Sequence, residues 1–292
     1  MSQRKPILNL KKDAVGGYLF AGKTHQEHVD MILDQGVHGT PSTIRKFTLH
    51  SLGLDNPGEK AENVVMFGCY PIYGEYRGIE SYVKLLDRLD VDFTHLEKEY
   101  CCGAFLCHMF TASGEKEKAD AEARNFIGMN LAAARECGAK KMAYGCASCA
   151  YMAKQYFPDE SIEQVYRFDI LLDRLRQQNL EMKPTTVGYF PGCHVRFNDL
   201  APGVKLNWSS HREVAGLIKG LNIVDLPRAL CCIRGPELIV EAVVKRGLHT
   251  IVSPVNCCVL RLEGILKEAK VKVIYLEELF LQALDEAEVS IS

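Results

Sequence analysis

Cysteine is the residue type in this sequence that could do chemistry. The 292 residues include twelve cysteines, and ten of them fall into two sets that share one order: a single residue, an adjacent pair and a closing group. The first set is Cys69, Cys101, Cys102, Cys146 and Cys149, and the second is Cys193, Cys231, Cys232, Cys257 and Cys258. Thiolates bind soft metals and take part in redox reactions. The two sets therefore predict metal or redox sites.

The N-terminus bears on the redox state of these thiols. Residues 1–17 contain lysines but no long apolar core, so they lack the pattern of a secretory signal. We therefore expect a cytoplasmic protein whose thiols stay reduced. In such a compartment, clustered cysteines indicate metal or redox sites more often than disulfides.

The composition excludes several classes of protein. With 47% hydrophobic and 25% charged residues, the chain is not disordered as a whole. The formal net charge of -2 gives no support for nucleic-acid binding. No apolar run reaches about 18 residues, so no transmembrane segment is expected. No dinucleotide-binding or phosphate-binding glycine motif is visible, so electrons are expected to be exchanged with a partner protein.

Short apolar segments typical of buried strands precede the cysteine groups. They are residues 64–67, 91–96 and 141–144 in the first half, and 186–190, 221–226 and 249–253 in the second. Helical patterns lie between them, for example over residues 116–137, where Cys137 is interpreted as a small buried side chain. Buried strands that alternate with helices predict parallel sheets.

The two halves are also alike in how they end. Residues 165–172 match residues 273–280 at an offset of 108, which places Cys257 opposite Cys149. We therefore predict an α/β protein with two duplicated Rossmann-like cysteine-rich domains, whose parallel sheets are related by pseudo-two-fold symmetry. The predicted parts are an N-terminal extension (1–62), a first domain (63–183) and a second domain (184–292). The extension is interpreted as a packing arm or a partner-docking element.

Parallel strands explain how distant cysteines could meet. Ligands of open α/β sheets gather at the carboxyl ends of the strands, and neighbouring strands are about 4.8 Å apart. Three adjacent strand ends can therefore bring five thiols to one point. Five thiolates exceed the four that a zinc ion or an ordinary iron–sulfur cluster requires. The excess suggests an iron–sulfur cluster in which one thiolate bridges two iron atoms.

The spacing of the first set carries a family resemblance. The run Cys69-x31-Cys101-Cys102-Gly103-x42-Cys146-x2-Cys149 resembles the CCG motif that is duplicated in the B-type subunit of heterodisulfide reductase and its relatives. The likeness extends over about residues 63–292. In that family the motif binds a noncubane [4Fe-4S] cluster that cleaves disulfides reductively. The resemblance thus implies that the five cysteines of the first set ligate one such cluster.

The second motif departs from the family pattern. Ile233 replaces the glycine after the cysteine pair, and the offset of 108 places Pro254 opposite Cys146 and Ala150 opposite Cys258. The remaining candidate ligands are Cys193, Cys231, Cys232 and Cys257, with Cys258 as an additional one. This site is expected to hold a second, modified cluster, a zinc ion or nothing.

One histidine adjoins the second set. His194 follows Cys193 and is a candidate proton donor, because histidine titrates near neutrality. The alternative is a structural hydrogen bond. Within the family, the long extension and the altered second motif favour the corresponding B-type protein of a sulfur-oxidising heterodisulfide-reductase-like complex.

These observations and the resemblance lead to an expected function. The chain is expected to be an oxidoreductase acting on sulfur groups, as one subunit of a heterodisulfide-reductase-like redox complex. It would cleave or form a sulfur–sulfur bond in a small disulfide or persulfide, free or protein-bound, and exchange electrons with an iron–sulfur or flavoprotein subunit. The alternative is a non-catalytic electron-transfer or assembly subunit with one cluster and a structural zinc or an empty second site.

Overall fold

The structure is a computed structural model that covers most of the chain. It describes residues 23–36, 38, 42–69, 72, 76–110, 114–158, 160–192, 195 and 203–289. Cys193 and His194 lie outside the described residues, so the roles expected of them stay predictions.

The described residues form two four-stranded parallel sheets. The first contains β1 (Asn63–Met66), β2 (Phe93–His95), β3 (Lys141–Tyr144) and β4 (Glu163–Tyr166). The second contains β5 (Glu181–Tyr189), β6 (Lys219–Asp225), β7 (Thr250–Ser253) and β8 (Lys272–Tyr275). The strand orders are β2-β1-β3-β4 and β6-β5-β7-β8, so the sheets share one topology.

Helices flank and connect these strands. The first half contains α1 (His25–Gln35), α2 (Ser42–His50), α3 (Tyr76–Arg88), α4 (Ala104–Phe110), α5 (Lys116–Glu136), α6 (Ala147–Tyr156), a 3-10 turn (Arg167–Leu171) and α7 (Leu172–Arg176). The second half contains α8 (Trp208–Ala215), α9 (Pro236–Lys245), α10 (Asn256–Leu266) and α11 (Leu276–Val289). Within the part of the chain described, no helix combines the length and the hydropathy that a membrane span requires.

The first sheet has a fully buried central strand, β1. Every residue of β1 is buried, as expected for a parallel strand without a solvent-facing side. The prediction of an α/β protein with parallel sheets is therefore confirmed. The predicted domain boundary between residues 183 and 184 falls inside β5, which begins at Glu181. Duplication and pseudo-two-fold symmetry stay predictions.

A buried ion pair joins the two halves. Arg167, in the turn after β4, lies with its Nη2 atom 2.7 Å from Oε1 of Glu277 at the start of α11, and both side chains are 1% exposed. The carbonyl of Arg167 also accepts a hydrogen bond from the hydroxyl of Tyr82 at 2.9 Å. Because a charge without its partner is costly in the interior, this pair constrains how the halves meet.

Arg167→Met is expected to destabilise the protein by about 3 kcal/mol, because it leaves the Glu277 carboxylate buried and unpaired. The matched control is Arg212→Met, which removes an ion pair with Asp225 whose side chains are 31% and 60% exposed. That change is expected to cost less than about 1 kcal/mol. Urea unfolding measures both values, and equal losses would contradict the role given to the buried pair.

Candidate metal centre

The cysteines of the first set lie at one edge of the first sheet. Cys69 follows β1, while Cys101 and Cys102 lie between β2 and α4. Cys146 caps the N-terminus of α6, and Cys149 lies in the first turn of that helix. Because the strands are parallel and adjacent, all these loops leave the sheet on the same side.

Their sulfur atoms form a continuous row. The Sγ atoms of Cys69 and Cys101 are 3.8 Å apart. Cys101 is hydrogen-bonded to Cys102, Cys102 to Cys149, and Cys149 to Cys146. Cys101, Cys102 and Cys149 are buried, whereas Cys69 and Cys146 are half-buried. The structure thus brings together all five thiols of the first set.

Hydrogen bonds divide the row into donors and acceptors. The pKa of Cys102 is well below its usual value, because Cys101 and then Cys149 donate hydrogen bonds to it and the Ala104 N–H adds another. The pKa of Cys146 is lowered chiefly by a hydrogen bond from Cys149, with help from backbone N–H groups of α6. Donating these bonds raises the pKa of Cys101 and Cys149. Cys102 and Cys146 therefore favour the thiolate form that binds metals.

Two glycines permit the close packing of these loops. Gly103 has a φ of 70°, and a Cβ at this position would lie 2.6 Å from that of Ala123. A Cβ at Gly145 would lie 2.6 Å from the carbonyl oxygen of Phe67. A larger residue at Gly103 would push the Cys101–Cys102 loop away from α5, and one at Gly145 would push apart the loops that carry Cys69 and Cys146.

The donor set fits a soft metal group, because all five donors are sulfur. Among the described residues, however, no group of three or more His, Cys, Asp or Glu side chains has an arrangement suited to one metal ion.

Buried polar residues that the sequence analysis missed support these loops. Glu99 is 1% exposed and accepts hydrogen bonds from the N–H groups of Phe67 and Gly68, both at 2.9 Å. Asn130, also 1% exposed, binds the N–H and the carbonyl of Tyr100 at 2.8 and 2.7 Å. No sequence signal marks them, since glutamate and asparagine usually lie at the surface.

The ends of the strands and helices in the second half favour a different alignment of the two halves. The strands β3 and β4 end at Tyr144 and Tyr166, and β7 and β8 end at Ser253 and Tyr275, so these ends are offset by 109 residues. The helix caps agree, because Cys146 caps α6 and Val255 caps α10. The element ends therefore favour an offset one residue longer than the predicted 108, since these short segments match almost as well after a slip of one residue.

The choice of offset changes the equivalent residues. At 109, Cys258 lies opposite Cys149 and Val255 lies opposite Cys146, whereas the offset of 108 places Cys257 and Pro254 there. Burial supports the change, since Cys258 is buried like Cys149 while Cys257 is half-buried.

The second site retains part of the sulfur row. The Sγ atom of Cys232 lies 4.0 Å from that of Cys258, as Cys102 lies against Cys149 in the first site. A Cβ at Gly192, the residue before Cys193, would lie 3.1 Å from the Cys258 sulfur. Cys231 is half-buried, and Cys193 lies outside the described residues. The site therefore keeps the central contact of the row and lacks the equivalent of Cys146.

Tyr166 lies between the two sites. Its hydroxyl donates a hydrogen bond to the carbonyl of Pro254 at 2.6 Å and lies 3.2 Å from Oδ1 of Asn256. Burial raises the pKa of Tyr166, and the nearby Cys146 and Cys257 raise it further. Cys146 of the first set and Cys257 of the second therefore lie near the junction of the two halves.

Comparison with known proteins supports the resemblance seen in the sequence. Residues 64–154 match the family model of the cysteine-rich CCG domain. The chain is 27% identical over 223 residues to the D-type subunit of dihydromethanophenazine:CoB–CoM heterodisulfide reductase from Methanosarcina mazei, which covers 68% of this chain and 52% of the relative. For the Methanosarcina barkeri protein of the same name, identity is 28% over 215 residues, or 66% of this chain and 50% of the relative.

The resemblance to the CCG and heterodisulfide reductase proteins is thereby confirmed. The chain spans about half the length of the curated relatives that it matches. Among solved structures, an aspartate racemase homologue from Pyrococcus horikoshii has a TM-score of 0.32 and a putative Asp/Glu racemase from Yersinia pestis has 0.35. Each is 10% identical and covers 79% of this chain and 98% of its own, and likeness at this level carries no argument about function.

Mild oxidation of the metal-free protein is expected to join Cys232 to Cys258. Their sulfur atoms need only approach from 4.0 Å to about 2.05 Å. Peptide mapping without reduction would detect the link between residues 229–234 and 247–261. Cys258→Ser is expected to abolish this link, and Cys257→Ser to preserve it. Loss of the link in Cys257→Ser and its retention in Cys258→Ser would instead support the offset of 108.

Proposed function

We propose that this protein is an iron–sulfur redox subunit that cleaves or forms a sulfur–sulfur bond within a heterodisulfide-reductase-like complex. The row of five thiols from three neighbouring strand ends carries this proposal, because it supplies the donors of the CCG motif in one place. The similarity to the heterodisulfide reductase proteins of Methanosarcina supports the class of reaction.

The first site would hold a noncubane [4Fe-4S] cluster through Cys69, Cys101, Cys102, Cys146 and Cys149. When bound, such a cluster supplies electrons at the site where the sulfur–sulfur bond is reduced. The chain itself contributes thiolates, and the N-terminal N–H groups of α4 and α6 stabilise the charge on Cys102 and Cys146. Burial of the row limits the access of water and of competing thiols.

The substrate would be a small disulfide or persulfide, free or carried by a protein. Cleaving a disulfide consumes two electrons and two protons and yields two thiols. Since no cofactor-binding glycine motif occurs in this sequence, another iron–sulfur or flavin subunit would exchange the electrons. We propose a cytoplasmic complex for this reaction, and His194 as a candidate proton donor in the second half.

The second site would hold a smaller centre. With Val255 in place of Cys146, its candidate ligands are Cys193, Cys231, Cys232 and Cys258, and Cys257 is a further thiol beside them. Four cysteines suffice for a zinc ion or for an ordinary cluster. The shared strand order favours an origin by duplication, with the halves related by a pseudo-two-fold axis and a second domain that begins with β5.

The loss of the fifth thiol favours one alternative function. A subunit with one intact cluster and a zinc ion at the altered site could transfer electrons or assist assembly without a substrate of its own. Spin-resonance spectroscopy of the anaerobic protein separates the two proposals. A cluster signal that changes on addition of a thiol or disulfide supports catalysis, and an unresponsive cluster in a protein that contains zinc supports the alternative.

Cys102→Ser is expected to remove most of the iron from the first site, because Cys102 contacts both Cys101 and Cys149 at the centre of the row. The matched control is Cys137→Ser, which changes a cysteine buried at the end of α5, outside both sets. Iron, sulfide and zinc per chain are measured after anaerobic purification. Full iron content in Cys102→Ser would contradict its role as a ligand.

Val255→Cys is expected to increase the iron bound per chain, since it restores the fifth thiol at the position equivalent to Cys146. Val255 is 2% exposed and lies against the Gly192 loop, so a cysteine of similar size fits there. Pro254→Cys is the control, because the sequence offset of 108 had selected that residue. More iron in the control than in Val255→Cys would contradict the structural alignment.

A further inference from the structure

We propose that Glu99 is a positioning residue for Cys69, and that Arg45 of the N-terminal segment supplies its fixed counter-charge. The N-terminal segment, meaning residues 24–36, 38 and 42–50, would then be an integral part of the first site and not an appendage. This inference rests on the proposed metal-binding function, but its central measurement is made on the metal-free protein.

The Glu99 carboxylate binds the peptide groups that lead to Cys69. Its Oε1 accepts a hydrogen bond from the N–H of Phe67 and its Oε2 one from the N–H of Gly68, both at 2.9 Å. Gly68 is in the left-handed region with a φ of 78°. The two oxygens of the Glu99 carboxylate thus stabilise the turn that orients Cys69 toward the other sulfur atoms.

Arg45 neutralises this buried carboxylate. Its Nη2 atom lies 2.9 Å from Oε1 of Glu99, and the two side chains are 5% and 0% exposed. The guanidinium also donates hydrogen bonds to the carbonyls of Leu96 and Glu97 at 3.0 and 3.1 Å. A buried carboxylate requires such a partner, because an unpaired charge is costly in the interior. A residue of α2 therefore stabilises a group beside the cysteines.

The N-terminal segment also contacts the other end of the same sulfur pair. The N–H of Cys101 donates a hydrogen bond to the carbonyl of Gly36 at 3.1 Å. A Cβ at Gly36 would lie 2.3 Å from the carbonyl oxygen of Glu99, so only glycine allows this approach. Val29 and Ile32 of α1 pack in one buried cluster with Cys101. The segment thus constrains both Cys69 and Cys101, whose sulfur atoms are 3.8 Å apart.

The second half offers an internal comparison. Glu99 lies two residues before the pair Cys101 and Cys102, and Ala229 lies two residues before the pair Cys231 and Cys232. Alanine has no carboxylate, so the loop before Cys193 lacks this means of support. The arrangement of Glu99 and Arg45 is thus specific to the site with the complete set of cysteines.

The test uses four forms of the full-length, metal-free protein: wild type, Glu99→Gln, Arg45→Met and the double variant. Glutamine keeps the shape of Glu99 but turns one acceptor into a donor that faces an N–H group. We expect the amides of Phe67 and Gly68 to exchange hydrogen about tenfold faster or more in Glu99→Gln, because hydrogen bonds to charged groups are among the stronger ones. Mass spectrometry follows the exchange.

The rate of alkylation of Cys69 is the second measurement. Residues 61–77 form a tryptic peptide with Cys69 as its only cysteine, so its reaction with N-ethylmaleimide can be followed alone. We expect faster alkylation in Glu99→Gln. Arg45→Met is expected to destabilise the whole protein. The double variant is expected to recover that stability, because it no longer contains an unpaired buried charge. Its Cys69 is expected to react as fast as in Glu99→Gln.

Glu277→Gln is the matched control, because it removes the carboxylate of the other buried ion pair, with side chains that are 1% exposed. It is expected to lower stability without changing the reactivity of Cys69. The proposal would be overturned if Glu99→Gln exchanged hydrogen and reacted at Cys69 at the same rates as the wild type. It would also be overturned if Glu277→Gln accelerated the alkylation of Cys69 as much as Glu99→Gln does. Absence of iron from the wild-type protein would instead contradict the proposed function, so the two failures are distinguishable.

Discussion

The convergence of parallel strand ends is the constraint on which this molecule depends. The strands β2, β1 and β3 are adjacent and parallel, so the loops that follow them lie at the same edge of one sheet. These loops carry Cys69, Cys101 and Cys146, which are far apart in sequence. Close approach of the loops at Gly145 then brings the sulfur atoms into contact. Without this strand order the cysteines would be separate buried thiols, and no site could form.

Buried ion pairs determine how tightly the segments around this edge of the sheet are held together. The pairs Arg45–Glu99 and Arg167–Glu277 are both almost fully buried, and each joins segments that are distant in sequence. Breaking such a pair is costly, so its geometry tolerates little variation, even though forming it adds little net stability. One pair fixes the N-terminal segment to the first site and the other fixes one half to the other, so charge pairing specifies how the parts of the protein meet.

The two halves show how one topology can support unequal sites. Cys102 contacts Cys149, and Cys232 contacts Cys258, so the central pair of thiols is the same in both. The second half has Val255 at the helix cap and Ile233 after the cysteine pair, where the first has Cys146 and Gly103. The strands preserve the framework, and a few residues in the loops decide how many donors each site contains.

Sequence alone determined the fold class and the six strands that precede the cysteine groups, because buried strands and their spacing are local patterns. It did not indicate β4 or β8, the fourth strand of each sheet. It could not determine the alignment of the halves, since a one-residue slip is nearly neutral in short apolar segments. The ends of the strands and the helix caps favour an offset of 109. Sequence also could not reveal Glu99 or Arg45, whose roles depend on burial against each other. Buried charges are recognised only from their partners, and only tertiary structure brings those partners together.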